Sequence, residues 1–523
     1  MILLVHSNGE ILEQALIGEE KLEFGSSSYI SVLWKVALEF PEELICWVEK
    51  SFLEDINFQK LDEIFHHDLI MASYPINSIY FSDEIGYIDQ LPFININREV
   101  QYGTWQMSSD VGGIKGEVIL KFREIFGHID DLGFLLNSIA KLGQQNGLFC
   151  YSEPLLIKDC CHSDRPVEVR SKASKRDLFS FVYSHYKIVR LWLLFWCFVK
   201  YEKSFPGGSL ITAFFKKKFF KKDVDLSDIC VKSEKLNKHG ESIDVIIPTL
   251  GRRDYLLTVL EDLKSQTLLP QKVIVVEQNP DPNSQTDIPE IEKQPWPFKL
   301  VHHFTHQTGA CNARNVALEE VNADWVFFAD DDNRMEEDIL QKSIQEIKKY
   351  GLDLLTLNYR QKGESLVFDK LKQWGTFGAG NSIVAGKFAS KLRFDIAFEY
   401  GYAEDKDYGM QLRNSGCDII YHPALQILHL KAPRGGFREI TAAPWVEDKP
   451  KPSPTLMIYL KKYYTQEQLK GFKAELFFRY YFSQQIKNPV TYLKTMRKRW
   501  LISEKWAEKI LKKTLATVPK TSV

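Results

Sequence analysis

The sequence predicts an α/β protein built on parallel strands that end in acids. Three observations carry that prediction. Ile243-Asp244-Val245-Ile246-Ile247-Pro248-Thr249 and Gln271-Lys272-Val273-Ile274-Val275-Val276-Glu277 are short β-branched runs, as buried strands are. Arg253 to Gln266, between them, carries apolar residues at helical spacing, so the segment reads as strand, helix, strand with a right-handed crossover. A third run, from Ala323 to Ala329, ends in Asp330-Asp331-Asp332. Adjacent carboxylates repel and resist desolvation, so they need a cation or water. At the C-terminal edge of such a sheet, they line the crevice where ligands bind. Their hard oxygens suit Mg²⁺ or Mn²⁺ holding a diphosphate. Taken alone, they also fit a solvated acidic turn before a helix starting near Glu336.

The remaining elements follow in chain order. Residues 1–180 alternate strand-like and helical runs: Leu44 to Val48, Asp68 to Ala72 and Leu148 to Tyr151 read as strands, and Phe134 to Leu142 as a helix. Residues 181–240 form a basic, aromatic connector. Within it, Ile188 to Val199 is too short to span a bilayer and reads as a core helix or as a helix lying on a membrane surface. Lys187, Lys200 and Lys203 flank it, and the Phe/Lys run from Phe214 to Lys222 follows, which favours the membrane surface. Residues 241–440 make the strand–helix domain. The tail is 441–523, in which Pro444, Pro450, Pro452 and Pro454 break the chain before a helical, basic-aromatic run from Leu456 to about Lys513.

Composition sets outer limits. A chain of 523 residues with 44% hydrophobic and 26% charged residues suffices for two or three globular domains. A net charge of −2 gives no basic field for nucleic acid. Eight scattered cysteines without metal-ligand spacing, and an N-terminus without a charged signal region, lead us to expect a reduced, cytoplasmic setting.

Four ordered blocks resemble a family-2 glycosyltransferase of the GT-A fold over about 240–430. They are Val245 to Thr249 with Arg252-Arg253; Val275-Val276-Glu277-Gln278-Asn279; Gly309 to Asn315 followed by Phe328-Ala329-Asp330-Asp331-Asp332; and Gly401-Tyr402-Ala403-Glu404-Asp405-Lys406-Asp407, leading to Gly416 and His429. The resemblance implies an α/β GT-A domain, flanked by the N-terminal α/β domain and the helical tail read above. It implies nucleotide-sugar binding by Pro248, Thr249, Arg253, Glu277, Arg314, Asp330 and Asp331. The family usually has Asp where this chain has Glu277. Asp330, Asp332 and His429 would hold Mg²⁺ or Mn²⁺. Asp405 would be the general base that takes the acceptor proton. Glu404, Arg434 and Arg438 would serve the acceptor or a closing loop. Read singly, several of these residues have plainer explanations. Glu404 and Asp405 would complement a helix dipole, Arg314 would be a solvated helix residue, and His429 a backbone-satisfied histidine.

For 1–180 two expectations stand, a degenerate GT-A-like copy or an unrelated α/β module, with Trp105 and Asp110-Val111-Gly112-Gly113 in an acceptor loop. The expected partners are a nucleotide-sugar donor, a saccharide or lipid-linked acceptor and a membrane surface, at the inner face of the cell membrane. A homo-oligomer is compatible with the sequence. Competing functions are a nucleotidyltransferase, which would not need Glu404-Asp405, and an inactive sugar-nucleotide-binding scaffold.

Overall fold

The computed structural model describes the chain apart from residues 19, 26–27, 159–169, 236–239, 400–401, 433–442 and 518–523. Two compact units divide it. The first comprises Met1–Leu236, Lys370–Gly375 and Tyr464–Leu476, and the second Asn237–Asp369, Thr376–Tyr463 and Phe477–Val523.

The first unit carries β1 (Ile2–Ser7), β2 (Ile11–Ile17), β3 (Glu20–Lys21), β4 (Leu44–Glu49), β5 (Ile70–Tyr74), β6 (Ser78–Ile79), β7 (Tyr102–Gly103), β8 (Val111–Lys115), β9 (Phe149–Ser152) and β10 (Arg170–Ser171). Its helices are α1 (Tyr29–Glu39), α2 (Leu61–Ile64), α3 (Gly116–Leu120), α4 (Arg123–Phe126), α5 (Leu132–Asn146), α6 (Lys175–His185), α7 (Ile188–Lys200) and α8 (Gly207–Ala213). The sheet runs β3-β2-β1-β4-β8-β5-β9-β7. β1, β4 and β5 are nearly continuous apolar runs because both faces are covered. A capping box closes the start of α6, where Ser174 and Asp177 satisfy each other's backbone N–H.

The second unit carries β11 (Ile243–Thr249), β12 (Lys272–Gln278), β13 (Lys299–Thr305), β14 (Trp325–Ala329), β15 (Asn333–Met335), β16 (Leu354–Arg360), β18 (Asn381–Ala385) and β19 (Ile420–His429); β17 (Lys372–Gln373) falls in the first unit's share. Helices α9 (Arg253–Lys264), α10 (Ala310–Glu319), α11 (Ile339–Tyr350), α12 (Gly386–Ala389) and α13 (Glu404–Asn414) connect them, and α14 (Pro454–Tyr463), α15 (Gln466–Ser483) and α16 (Pro489–Thr517) follow, with α15 counted to the first unit as far as Leu476. The sheet path is β13-β12-β11-β14-β18-β16-β19-β15. Strands β13, β12, β11 and β14 are parallel, as the strand–helix–strand reading requires. One local reading changes. The acids lead into the short strand β15, so the next helix begins at Ile339. β19 leads to His429 and pairs with both β15 and β16.

The two units repeat one strand plan. In the first, β1-β4-β8-β5-β9 are joined parallel, antiparallel, antiparallel, parallel. In the second, β11-β14-β18-β16-β19 follow the same sequence order and the same senses. The correspondence reaches single hydrogen bonds. Gly116 N–H donates to Glu43 O, and Gly386 N–H to Asp324 O, each glycine opening a short helix after the matching strand. Leu148 N–H donates to Gly143 O, and Cys417 N–H to Leu412 O, closing α5 and α13 around left-handed Gly147 and Gly416.

The chemistry does not repeat. The strand registers align Asp330-Asp331-Asp332 with Glu49-Lys50-Ser51, and the matched helix ends align Glu404-Asp405 with Leu135-Leu136. The β2–β3 hairpin stands where the second unit has α9, β12 and β13, so Glu277 has no counterpart. Trp105 and Asp110 are buried, in the segment between β7 and β8. Asp110 accepts from the N–H groups of Ile76, Asn77 and Ser78. Gly112 lies within β8, where a Cβ would stand 2.3 Å from the Trp47 ring.

Candidate active site

The site gathers at the C-terminal ends of β11, β14 and β16 and at the start of α13. Asp330, just past β14, accepts from Arg314 Nη2 at 3.1 Å and from the Tyr359 hydroxyl at 3.2 Å. Asp331 is buried and accepts from Thr249 Oγ1 at 2.8 Å and Arg252 Nη1 at 2.9 Å. Burial raises its carboxyl to about 6 against the pull of Arg252 and Thr249. Asp332 accepts from the Ala432 N–H at 2.9 Å and from Arg252 Nη1 at 3.3 Å. Its other oxygen lies 3.5 Å from His429 Nε2. Burial pushes Asp332 up, but His429, the Ala432 N–H and Arg252 outweigh it and hold the carboxyl below its ordinary range. The His429 ring stacks on Tyr359 with centroids 4.4 Å apart.

Arg314 reaches the site from α10. It is buried, with desolvation offset by Asp330, Asp405 and Glu404, and its guanidinium lies over the Phe394 ring at 5.5 Å. The N-terminus of α10 is closed by Glu399, which accepts from the Cys311 and Asn312 N–H groups at 2.8 Å each. Gly309 makes that approach possible, since a Cβ there would stand 1.9 Å from Glu399 Oε1. Gly380 does the same for the acids: its Cβ would meet Asp330 Oδ2 at 2.2 Å.

Asp405 sits in the first turn of α13. Desolvation is the main cause that lifts its carboxyl to about 7; Arg314 opposes, while Glu404 and Asp330 add to the rise. Glu404 Oε2 is buried with no hydrogen-bond partner among the described residues. Tyr402 and Ala403, immediately before, both have positive φ, 76° and 83°. Left-handed non-glycine residues cost about 1–3 kcal/mol each and persist where the surroundings over-determine them, as at functional sites. Asp407, two residues on, is a structural anchor: it is buried and accepts from Lys462 Nζ at 2.7 Å, Tyr463 OH at 2.9 Å and Gln411 Nε2 at 2.7 Å.

The remaining candidates lie apart from this cluster. Glu277, at the end of β12, accepts from Thr286 Oγ1 at 2.5 Å and the Asp287 N–H at 2.8 Å, and pairs with His302 Nε2 at 3.0 Å. Burial raises Glu277, but His302, Thr286 and Asp287 hold it below its usual range. Pro248 is buried in β11 opposite Val276. Arg253 faces outward, bonded to Asp254 at 3.1 Å and paired with Glu290. Its neighbour Arg252 holds the acids instead. Arg434 and Arg438 lie outside the described residues. Sequence reasoning placed no weight on Arg252 itself, Tyr359, Gly380 or Glu399. Arg252 had a signal in the Arg-Arg pair, and Tyr359 in its place at a strand end.

Five carboxylates, Asp330, Asp331, Asp332, Glu404 and Asp405, are balanced here by two guanidiniums, Arg252 and Arg314. That excess fits a cation. Among the described residues no three His, Cys, Asp or Glu side chains are arranged to hold a metal. Mg²⁺ and its analogues do not need such a cage: they take one or two protein ligands and keep water or substrate phosphate oxygens. Asp332 and His429, 3.5 Å apart, fit that smaller set.

The family model "Glycosyl transferase family 2" matches residues 244–400. Glycosyltransferase GlyA of Streptococcus pneumoniae is 23% identical over 197 residues, 32% of this chain and 28% of that protein. Glycosyltransferase GlyG of the same organism is 22% identical over 126 residues, 24% of this chain and 42% of that protein. An uncharacterized glycosyltransferase of Haemophilus influenzae is 28% identical over 107 residues, 20% of this chain and 35% of that protein. The match thus spans less than half the length of each. A crystal structure of S. aureus TarS 1-349 in complex with UDP-GlcNAc shares 18% identity over 53% of this chain and 84% of that one, at a TM-score of 0.37, too low to bear on the site. With the strand–helix order, the acid-tipped strand and the matched segment in agreement, the chain carries a glycosyl transferase family 2 domain of the GT-A type over residues 244–400.

Proposed function

We propose that this protein is a metal-dependent inverting glycosyltransferase that moves a sugar from a nucleotide-sugar, first among candidates a UDP-sugar, to a saccharide or lipid-linked acceptor. One observation supports it above the others: Asp405 is a desolvated carboxylate at about 7, beside Arg314 and Asp330, in a strained helix start. A carboxylate that merely caps a helix has no need of desolvation. A base is most effective when its pKa lies near the working pH.

In this reading, Thr249, Pro248 and Glu277 border the nucleotide, and Arg314 and Asp330 meet its sugar or ribose. Arg252 keeps Asp331 and Asp332 in place. Asp332 and His429 would hold Mg²⁺ or Mn²⁺, whose charge would stabilise the departing diphosphate. Asp405 takes the proton from the acceptor hydroxyl as that oxygen bonds to the anomeric carbon. The bond from that carbon to the diphosphate breaks, and the nucleoside diphosphate leaves with the electron pair. Glu404 lies beside Asp405 with an unpartnered oxygen, suited to an acceptor hydroxyl. The test is isothermal titration with UDP in Mn²⁺ and in EDTA. Binding should need the metal, and Asp332→Ala should remove that need's effect by binding poorly in both. Equal affinity with EDTA and Mn²⁺ would refute the metal's role.

A further inference from the structure

The first unit has kept the strand plan of the second without its chemistry, so another use for it must be sought outside its strand-end crevice. Helix α7 offers one. Leu191, Leu194, Cys197 and Phe198 are buried, as one face of an amphipathic helix should be. The opposite face is not polar. Ile188, Val189, Trp192, Trp196 and Val199 recur at helical spacing and are 41–50% exposed. Phe205 follows at 79%, then Ile211 and, after α8, Phe215 at 84%.

These rings form a continuous surface. Trp192 meets Phe214 with centroids 6.3 Å apart, and Phe195 meets Phe205 at 5.4 Å. Contiguous exposed apolar patches of this kind mark interaction sites. Their surroundings identify the partner. From Lys187 to Lys222 the chain has eight lysines and Arg190 against a single acid, Glu202. All eight lysines are exposed. No helix among the described residues is long and apolar enough to cross a membrane. Helix α7, at 13 residues, is about 20 Å long. Exposed rings bordered by exposed ammoniums suit the headgroup boundary, where rings sink among acyl chains and lysines meet anionic lipid. Protein–protein interfaces are depleted in lysine, so a border of eight lysines favours lipid over a protein partner.

We propose that α7, α8 and the Phe/Lys run to Lys222 dock the protein on an anionic lipid bilayer, with Trp192, Trp196, Phe205 and Phe215 as the inserted side chains. The inference stands independently of the transfer chemistry. A lysine close to an anionic leaflet strengthens partition roughly fivefold.

The experiment is flotation of the full chain with phosphatidylglycerol-containing vesicles and with phosphatidylcholine vesicles. Strong flotation on the anionic vesicles at low salt, weakening at high salt, is expected. Brominated acyl chains should quench tryptophan fluorescence, and Trp192→Phe with Trp196→Phe should remove most of that quenching. Lys216, Lys217, Lys218, Lys221 and Lys222 changed to Gln should lower partition at least about tenfold. Because these side chains are exposed, an unchanged melting curve shows that each variant is folded. The proposal is overturned by equal affinity for neutral vesicles, by no flotation at low salt, or by quenching that the tryptophan variants retain. It is also overturned if the patch instead drives self-association, seen as a concentration-dependent dimer that Phe215→Ser abolishes.

Discussion

Asp405→Asn should inactivate the protein and stabilise it at the same time. Burial lifts Asp405 from an ordinary 3.8 to about 7, with Arg314 pulling the other way and Glu404 and Asp330 adding to the rise. A carboxyl raised in the folded state favours folding below the unfolded value and loses that contribution as pH climbs through the folded value. Each pKa unit corresponds to about 1.4 kcal/mol, so holding the ionised Asp405 at pH 8 costs the fold on the order of 4 kcal/mol at most. Water reaching the partly exposed carboxylate lowers that figure. Asparagine has the same shape and no charge. It should raise the melting temperature of this domain by a few degrees at pH 8, and by roughly half as much at pH 5.5. Transfer should fall about 10²- to 10⁴-fold. In the unaltered protein, activity should rise with pH through about 7, because in the proposed mechanism the ionised form takes the proton. Calorimetric melts of both proteins at the two pH values, beside initial rates, make the assay. No stability gain at pH 8 would refute the desolvation argument, and near-normal transfer would refute the base.

Three further predictions concern the neighbours. Gly380→Ala should weaken nucleotide-sugar binding at least about tenfold, since its Cβ would stand 2.2 Å from Asp330 Oδ2 and displace that carboxylate; titration of a nucleoside diphosphate checks it. Arg252→Gln should raise the Asp331 carboxyl further above about 6 and weaken binding more at low pH than at high, whereas Arg253→Gln should leave affinity nearly unchanged. Tyr402→Ala removes an exposed side chain at positive φ; it should alter the acceptor's KM while leaving donor affinity intact, read from initial rates with each substrate varied.

Much of the second unit was legible because its signals are local. Buried parallel strands such as β11 and β12 are uninterrupted apolar runs, and acids at their ends stand out against them. Contacts between distant segments were not legible. Nothing in the sequence tells Arg252 from Arg253, because their different roles follow from how α9 meets β14. Glu399 closing α10 is likewise 88 residues from Cys311. The repeated strand plan was faint for a third reason. Strand order is carried by pairing, and the residues that would advertise the site read Glu49-Lys50-Ser51 and Leu135-Leu136 in the first unit. Of Asp110-Val111-Gly112-Gly113, expected in an acceptor loop, the last three residues lie in β8. Those glycines make room for the Trp47 and Phe65 rings.

The most direct test is to incubate the protein with a panel of nucleotide-sugars and Mn²⁺ and to identify the released product by mass spectrometry. The account predicts slow release of a nucleoside diphosphate from at least one donor, accelerated by a matching acceptor, lost in EDTA and lost in Asp405→Asn. Release of pyrophosphate from a nucleoside triphosphate and a sugar phosphate, unaffected by Asp405→Asn, would contradict it and point to nucleotidyl transfer.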